Sequence, residues 1–116
     1  MTIRDVAERL KLSIAAAEDH LDADVTSGYA SDLLSCVMAK AQKGTIWVTL
    51  QSHPNVVAVA VLLELAGVII TEGHHPDPAT IEKANAEGIP ILTTPHTTFT
   101  TVARLIELGV EGVDQE

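Results

Sequence analysis

The sequence predicts an α/β protein: a three-layer α/β/α sandwich on a mixed, mostly parallel sheet of about five strands. Three observations carry this. The chain has 116 residues, enough for about one domain and one core. Apolar residues make up 47% and charged residues 20%, a globular rather than a disordered composition. Residues 45–108 alternate short apolar runs with segments of helical length, as crossover helices between parallel strands require.

The elements follow in order. A first helix is expected over residues 3–10, with Ile3, Val6 and Leu10 on one face. Thr2 is its N-cap, and Asp5 completes a variant of the capping box. Residues 13–17 form a short strand, 20–24 a polar turn and 25–29 a second strand. Ser31 or Asp32 caps a helix through Ala41 that Gly44 ends. The β-branched and aromatic run 45–50, TIWVTL, is a strand. After His53-Pro54, an Ala-rich helix spans 55–65 and is closed by Gly67. Residues 68–71 are a buried strand. Asp77 and Pro78 open an amphipathic helix through Glu87, with Gly88 just past its end. Residues 89–92 are the last strand, and Thr97 or Thr98 caps a final helix through Leu108 that Gly109 stops. One domain is thus expected over residues 1–109, followed by a polar tail over 110–116.

Composition excludes several functions. Seven Lys and Arg face sixteen Asp and Glu, for a net charge of −9, which argues against coating nucleic acid or an anionic membrane surface. Trp47, Tyr29 and Phe99 are too few rings for a single-strand stacking platform. Cys36 has no internal disulfide partner and is expected in the core. The charged N-terminal segment is not a signal sequence, and the tract 56–70 carries Glu64 and Gly67 and is too short to span a bilayer. A soluble cytoplasmic protein is the expectation.

In open parallel sheets, ligands bind beyond the carboxyl ends of the strands. Four of the five histidines fall in the loops there. Thr49, Ser52, His53, Asn55, Thr71, Gly73, Thr93, Thr94 and Thr97, beside three helix N-termini, make up a candidate anion or nucleotide pocket. His53, Glu72, His74, His75 and His96 form a competing metal set, since imidazole and carboxylate suit zinc, iron or nickel. A third reading makes these residues turn and cap formers. An enzyme with His53 as base, oriented by Glu72 or Asp32, is the least supported, because no Ser or Cys is framed as a nucleophile. No GxGxxG or GxxxxGK[ST] is present, and no cofactor is identified.

Residues 56–63 are apolar on every face, which predicts burial on all sides. A homodimer interface through Val56, Val59, Ala60 and Leu63 would supply it; so would the N-terminal 44 residues folded over its outer face.

The ordered blocks Gly28-Tyr29-Ala30-Ser31-Asp32-Leu33-Leu34-Ser35, Val48-Thr49-Leu50-Gln51-Ser52-His53-Pro54-Asn55-Val56-Val57-Ala58-Val59-Ala60, Ile69-Ile70-Thr71-Glu72-Gly73 with Pro76-Asp77, and Gly88-Ile89-Pro90-Ile91-Leu92 with Thr98-Phe99 resemble the DRTGG domain. The likeness covers nearly the whole chain. It implies a fold similar to the N-terminal domain of HPr kinase/phosphorylase. It also implies a regulatory or accessory role, as in family-II-type pyrophosphatases, where the domain lies between CBS domains, and in some phosphotransacetylases. There it serves association and signal transmission rather than chemistry, so the resemblance assigns no catalytic residue. It further implies a partner protein acting in trans. The chain departs from the family pattern twice: the Asp-Arg pair falls at Asp22-Ala23, and Thr-Gly-Gly falls at Thr71-Glu72-Gly73. No basic residue falls in the strand-end loops, so a highly charged phosphate there would need a positive charge from His or a metal.

Overall fold

The computed structural model describes residues 1–114. Its elements run α1 (Ile3–Leu10), β1 (Ser13–Ala16), β2 (Ser27–Ala30), α2 (Leu34–Lys40), β3 (Thr45–Thr49), α3 (Asn55–Leu63), β4 (Gly67–Ile70), α4 (Pro78–Glu87), β5 (Ile91–Thr93) and α5 (Thr98–Glu107). One five-stranded sheet has the order β1-β5-β4-β3-β2. The pairs β2–β3, β3–β4 and β4–β5 are parallel, and β1 lies antiparallel on the β5 edge with a register shift between Ile14 and Ala16. This is the three-layer mixed sheet that the sequence pattern predicts.

Strand alternation divides the core in two. Trp47, Val68, Ile70 and Ile91 point to one face and pack with Val37 of α2, Val56, Val57, Val59 and Ala60 of α3, and Ala84 of α4. Ile46, Val48, Ile69 and Leu92 point to the other and pack with Ile3, Val6, Ala7 and Leu10 of α1 and Leu105 of α5. Because β3 and β4 are covered on both sides, their side chains are buried without alternation, as expected for interior parallel strands.

Helix starts follow local chemistry. The Asp5 amide donates to Thr2 Oγ1 at 3.2 Å and the Thr2 amide donates to Asp5 Oδ2 at 2.9 Å, so the capping box is complete. The backbone bond from Thr2, then its side-chain bond, holds the Asp5 carboxyl below its ordinary 3.8. A carboxylate stabilised by folding contributes above its unfolded pKa, and the contribution is lost as pH falls through the lowered value. Asp5→Asn should therefore flatten the acid limb of stability below pH 3.8 relative to the parent chain, as read by thermal melts across pH. Thr97 caps α5 by accepting from the Thr100 amide at 3.2 Å.

Several boundaries differ from expectation. The helix over 55–65 stops at Leu63, not at Gly67: Glu64 takes the left-handed conformation (φ 58°) and its amide closes on Ala60 and Val61. Gly67 instead begins β4 where α1 crosses, and a Cβ there would lie 2.9 Å from Ile3 Cδ1 and 3.3 Å from the Pro90 carbonyl. Neither Ser31 nor Asp32 caps α2, whose N-cap is Leu33 without a side-chain bond. The helix ends at Lys40, well before Gly44. The second strand is shifted to Ser27–Ala30 and the last to Ile91–Thr93. Cys36 is half-buried rather than in the core. The expected polar tail is anchored at its start: Val110 is buried, the Glu111 carbonyl accepts from the Gly28 amide at 2.8 Å, and Gly112 bridges to Gly28. Residues 115 and 116 of that tail lie outside the described residues. No described helix is long and apolar enough to cross a membrane.

The dimer residues expected on α3 are largely inside the protomer. Val56, Val59 and Ala60 belong to the core, and Leu63 packs half-buried against it. The helix is covered by the sheet beneath and by α2 and α4 on either side. Its outer surface is Ala58, Val61 and Leu62 instead.

Candidate functional site

Parallel strands place the loops after β2, β3, β4 and β5 on one edge. The antiparallel β1 brings its first residue, Ser13, to the same edge opposite Thr93.

These loops are joined in series. Asp32, after β2, accepts at one oxygen (Oδ1) from Thr49 Oγ1 at 2.8 Å and from the Leu50 amide at 2.7 Å, and its carbonyl takes Gln51 Nε2 at 2.8 Å. The Ser52 carbonyl, after β3, accepts from Thr80 Oγ1 at 2.6 Å and from the Asp77 amide at 3.0 Å, both at the start of α4. After β4, the Glu72 amide donates to the His96 carbonyl at 2.7 Å and the Gly73 amide to the Thr94 carbonyl at 3.0 Å. The Glu72 carboxylate turns to α5 and accepts from the Thr98 amide at 3.2 Å, while Thr71 and Thr98 share a hydroxyl bond of 2.6 Å. Four loops thus form one continuous latch, from β2 to α5.

The predicted anion residues are therefore mostly committed to the protein. Thr49, Thr71 and Thr94 are buried; the first two hydroxyls hold a neighbouring segment, and Thr94 Oγ1 accepts from the His96 amide within its own loop. Ser52 acts through its carbonyl, Thr97 is a helix cap, and Asn55 is the exposed first residue of α3. His53 Nδ1 accepts from the Asn55 amide at 3.1 Å, within its own loop, while the carboxylates of Asp32 and Glu72 are on other partners. That geometry does not build the base-and-orienter pair of the enzyme reading. Gly73 and Thr93 reach an open pocket of about 160 Å³ shared with Ser13, His74, His75, Thr94 and Pro95.

The metal set does not assemble. Among the described residues no three of His, Cys, Asp and Glu are placed to hold an ion. The reason is divergence: His53 bonds on α3's side, Glu72 caps α5, His74 and His75 face the β1 side, and His96 Nε2 meets Arg104 Nη1 at 3.2 Å. With guanidinium the donor, that imidazole carries its proton on Nδ1. Arg104 also brings a cation to this edge from within α5, which the sequence reading missed because the residue lies eight positions away. Ser13 was missed because the direction of β1 has no signature in so short a run. Asp32 was read as a helix cap or an orienter; it is the pin between β2 and β3.

The fold and the latched edge define a small α/β module of the open parallel-sheet class. The chain belongs to the DRTGG domain family, whose model matches residues 5–108. In fold it is similar to the CBS and DRTGG domains of the regulatory region of Clostridium perfringens pyrophosphatase, a crystal structure complexed with its activator, diadenosine tetraphosphate. The TM-score is 0.67 and the identity 21%, over 90% of this chain and 45% of that one, so the chain spans just under half of its neighbour. No curated protein matches the sequence.

The structure gives the family motif a physical reading. Glu72 and Gly73 are both left-handed, at φ 59° and 76°, a pair of conformations that suits Gly-Gly. Glu72 accepts strain on the order of 1 kcal/mol in exchange for an acidic cap on α5. Asp22 is followed by Ala23, but an arginine still reaches it: Arg4 Nη2 lies 3.0 Å from Asp22 Oδ1. Glu72→Ala should keep the strain, lose the cap and cost about 1–2 kcal/mol. Glu72→Gly should lose the cap but relieve the strain, leaving stability within about 1 kcal/mol of the parent. Urea melts of the two variants check this, and equal losses would refute it.

Proposed function

We propose that this chain is a non-enzymatic regulatory module that senses a small ligand, a nucleotide or other anion, at the carboxyl edge and acts as a homodimer. The carrying observation is the continuous latch: hydrogen bonds already in place tie the loop after β2 to the loop after β3, and tie the strand-end loops to the starts of α4 and α5, so a ligand touching one loop is coupled to the others. The neighbour's activator, diadenosine tetraphosphate, makes adenine nucleotides and dinucleotide polyphosphates the first ligands to try. Arg104 brings a positive charge to this edge, beside His96. The dimer surface in this reading is the outer side of α2 and α3, where Leu33, Met38, Val61 and Leu62 are exposed.

A thermal-shift screen with these nucleotides tests the ligand, and light scattering tests the dimer. A ligand present at about 100 times its Kd stabilises by about 2.7 kcal/mol, a shift of several degrees for a domain of this size. A protein that no nucleotide stabilises and that stays monomeric at micromolar concentration would overturn the reading.

A further inference from the structure

We propose that the groove between α5 and the outer side of β2 docks a segment of partner polypeptide that carries apolar side chains beside Lys or Arg. Two residues one heptad apart, Phe99 and Ile106, stand on the outside of α5 at 85% and 63% exposure, with half-buried Val102 between them. An exposed stripe of this kind on a helix already anchored through Leu105 marks an interaction surface. It continues into an apolar cavity of about 90 Å³ lined by Gly28, Tyr29, Val48, Val102, Leu105 and Val110, with room for an aliphatic side chain. The edge of β2 is covered at Gly28 by residues 111 and 112, and Ala30 beyond it is exposed.

Charge decides the occupant. Glu111 lines the groove, Glu107 adjoins Ile106 on α5, and Asp114 stands beside Gly112. The one cation of α5, Arg104, is turned to His96 near the helix's other end. A second copy would bring the same carboxylates and another net −9 against this rim, whereas a basic segment meets it with opposite charge. The inference rests on the regulatory reading only in giving the module something to regulate. It uses a different face from the α2–α3 dimer surface.

The test is fluorescence anisotropy of a labelled amphipathic Leu/Lys peptide against the full chain. The Phe99→Ser/Ile106→Ser double variant is exposed at both positions and should keep its fold and Tm. Binding should be at least about tenfold weaker in that variant. It should also weaken as NaCl rises from about 0.1 M to about 0.5 M, and a Leu/Glu peptide should not bind. Absence of binding, equal binding to the variant, or binding of the Leu/Glu peptide overturns the proposal. So does self-association of the parent chain that Phe99→Ser/Ile106→Ser abolishes, which would make the occupant a second copy. Failure of the nucleotide screen, or a dimer lost through Leu62→Glu, leaves this result unaffected, so the two readings fail separately.

Discussion

Trp47→Ala is expected to cost about 3–5 kcal/mol, enough to leave much of a marginally stable domain unfolded. Trp47 sits on β3 with no exposed surface and packs in the larger cluster with Val37, Val57 and Val68. Its ring also does something no aliphatic residue can: Nε1 donates to the Ser31 carbonyl at 2.8 Å. Removing it leaves a cavity at the centre of the α2–α3–α4 layer and an acceptor without its donor. The effect extends to the carboxyl edge, because Ser31 directly precedes Asp32, the pin on Thr49 and Leu50. Trp47→Phe keeps most of the volume and should lose about 1–2 kcal/mol. Urea unfolding followed by circular dichroism gives both numbers. A loss below about 1 kcal/mol for the alanine variant would contradict the packing described.

Val59→Glu and Leu62→Glu are expected to separate folding from association. Val59 is 8% exposed and belongs to the core of the protomer, so a carboxylate there is buried without a partner. About 3 kcal/mol or more should be lost, and the protomer itself should melt early. Leu62, on the same helix, is 65% exposed. A glutamate there should leave the Tm of the protomer nearly unchanged while shifting the proposed dimer to monomer by light scattering. If instead Val59→Glu stays folded and only dissociates, α3 faces a partner and not the sheet. If Leu62→Glu remains dimeric, the α2–α3 surface is not the interface.

The contrast between these two positions shows what the sequence carries. The run 56–63 reads as apolar on every face, which predicts burial on all sides, yet Val61 and Leu62 are 40% and 65% exposed in the protomer. Which faces meet the sheet and which meet solvent depends on where α2 and α4 lie, and no local signal states that. Capping was legible where it is local: Thr2 with Asp5, and Thr97 with Thr100, act within three residues of each other. It was not legible for Asp32 and Glu72, which satisfy amides 18 and 26 residues away.

By itself the sequence determined the fold class, the order of the elements and the family pattern. These rest on periodicity, turn residues and ordered blocks, all written in neighbouring positions. Tertiary structure alone decided that the edge is a latch rather than a cluster of metal ligands. Four histidines assigned to one edge are not four ligands to one ion; each ring's direction is set by the loop that carries it and the partner it finds. His53 turns to its own helix, His96 to Arg104, and His74 with His75 to the mouth of β1. Glu72, in a left-handed turn that a Gly would accept without strain, reaches across to α5 because packing places Thr98 within its reach.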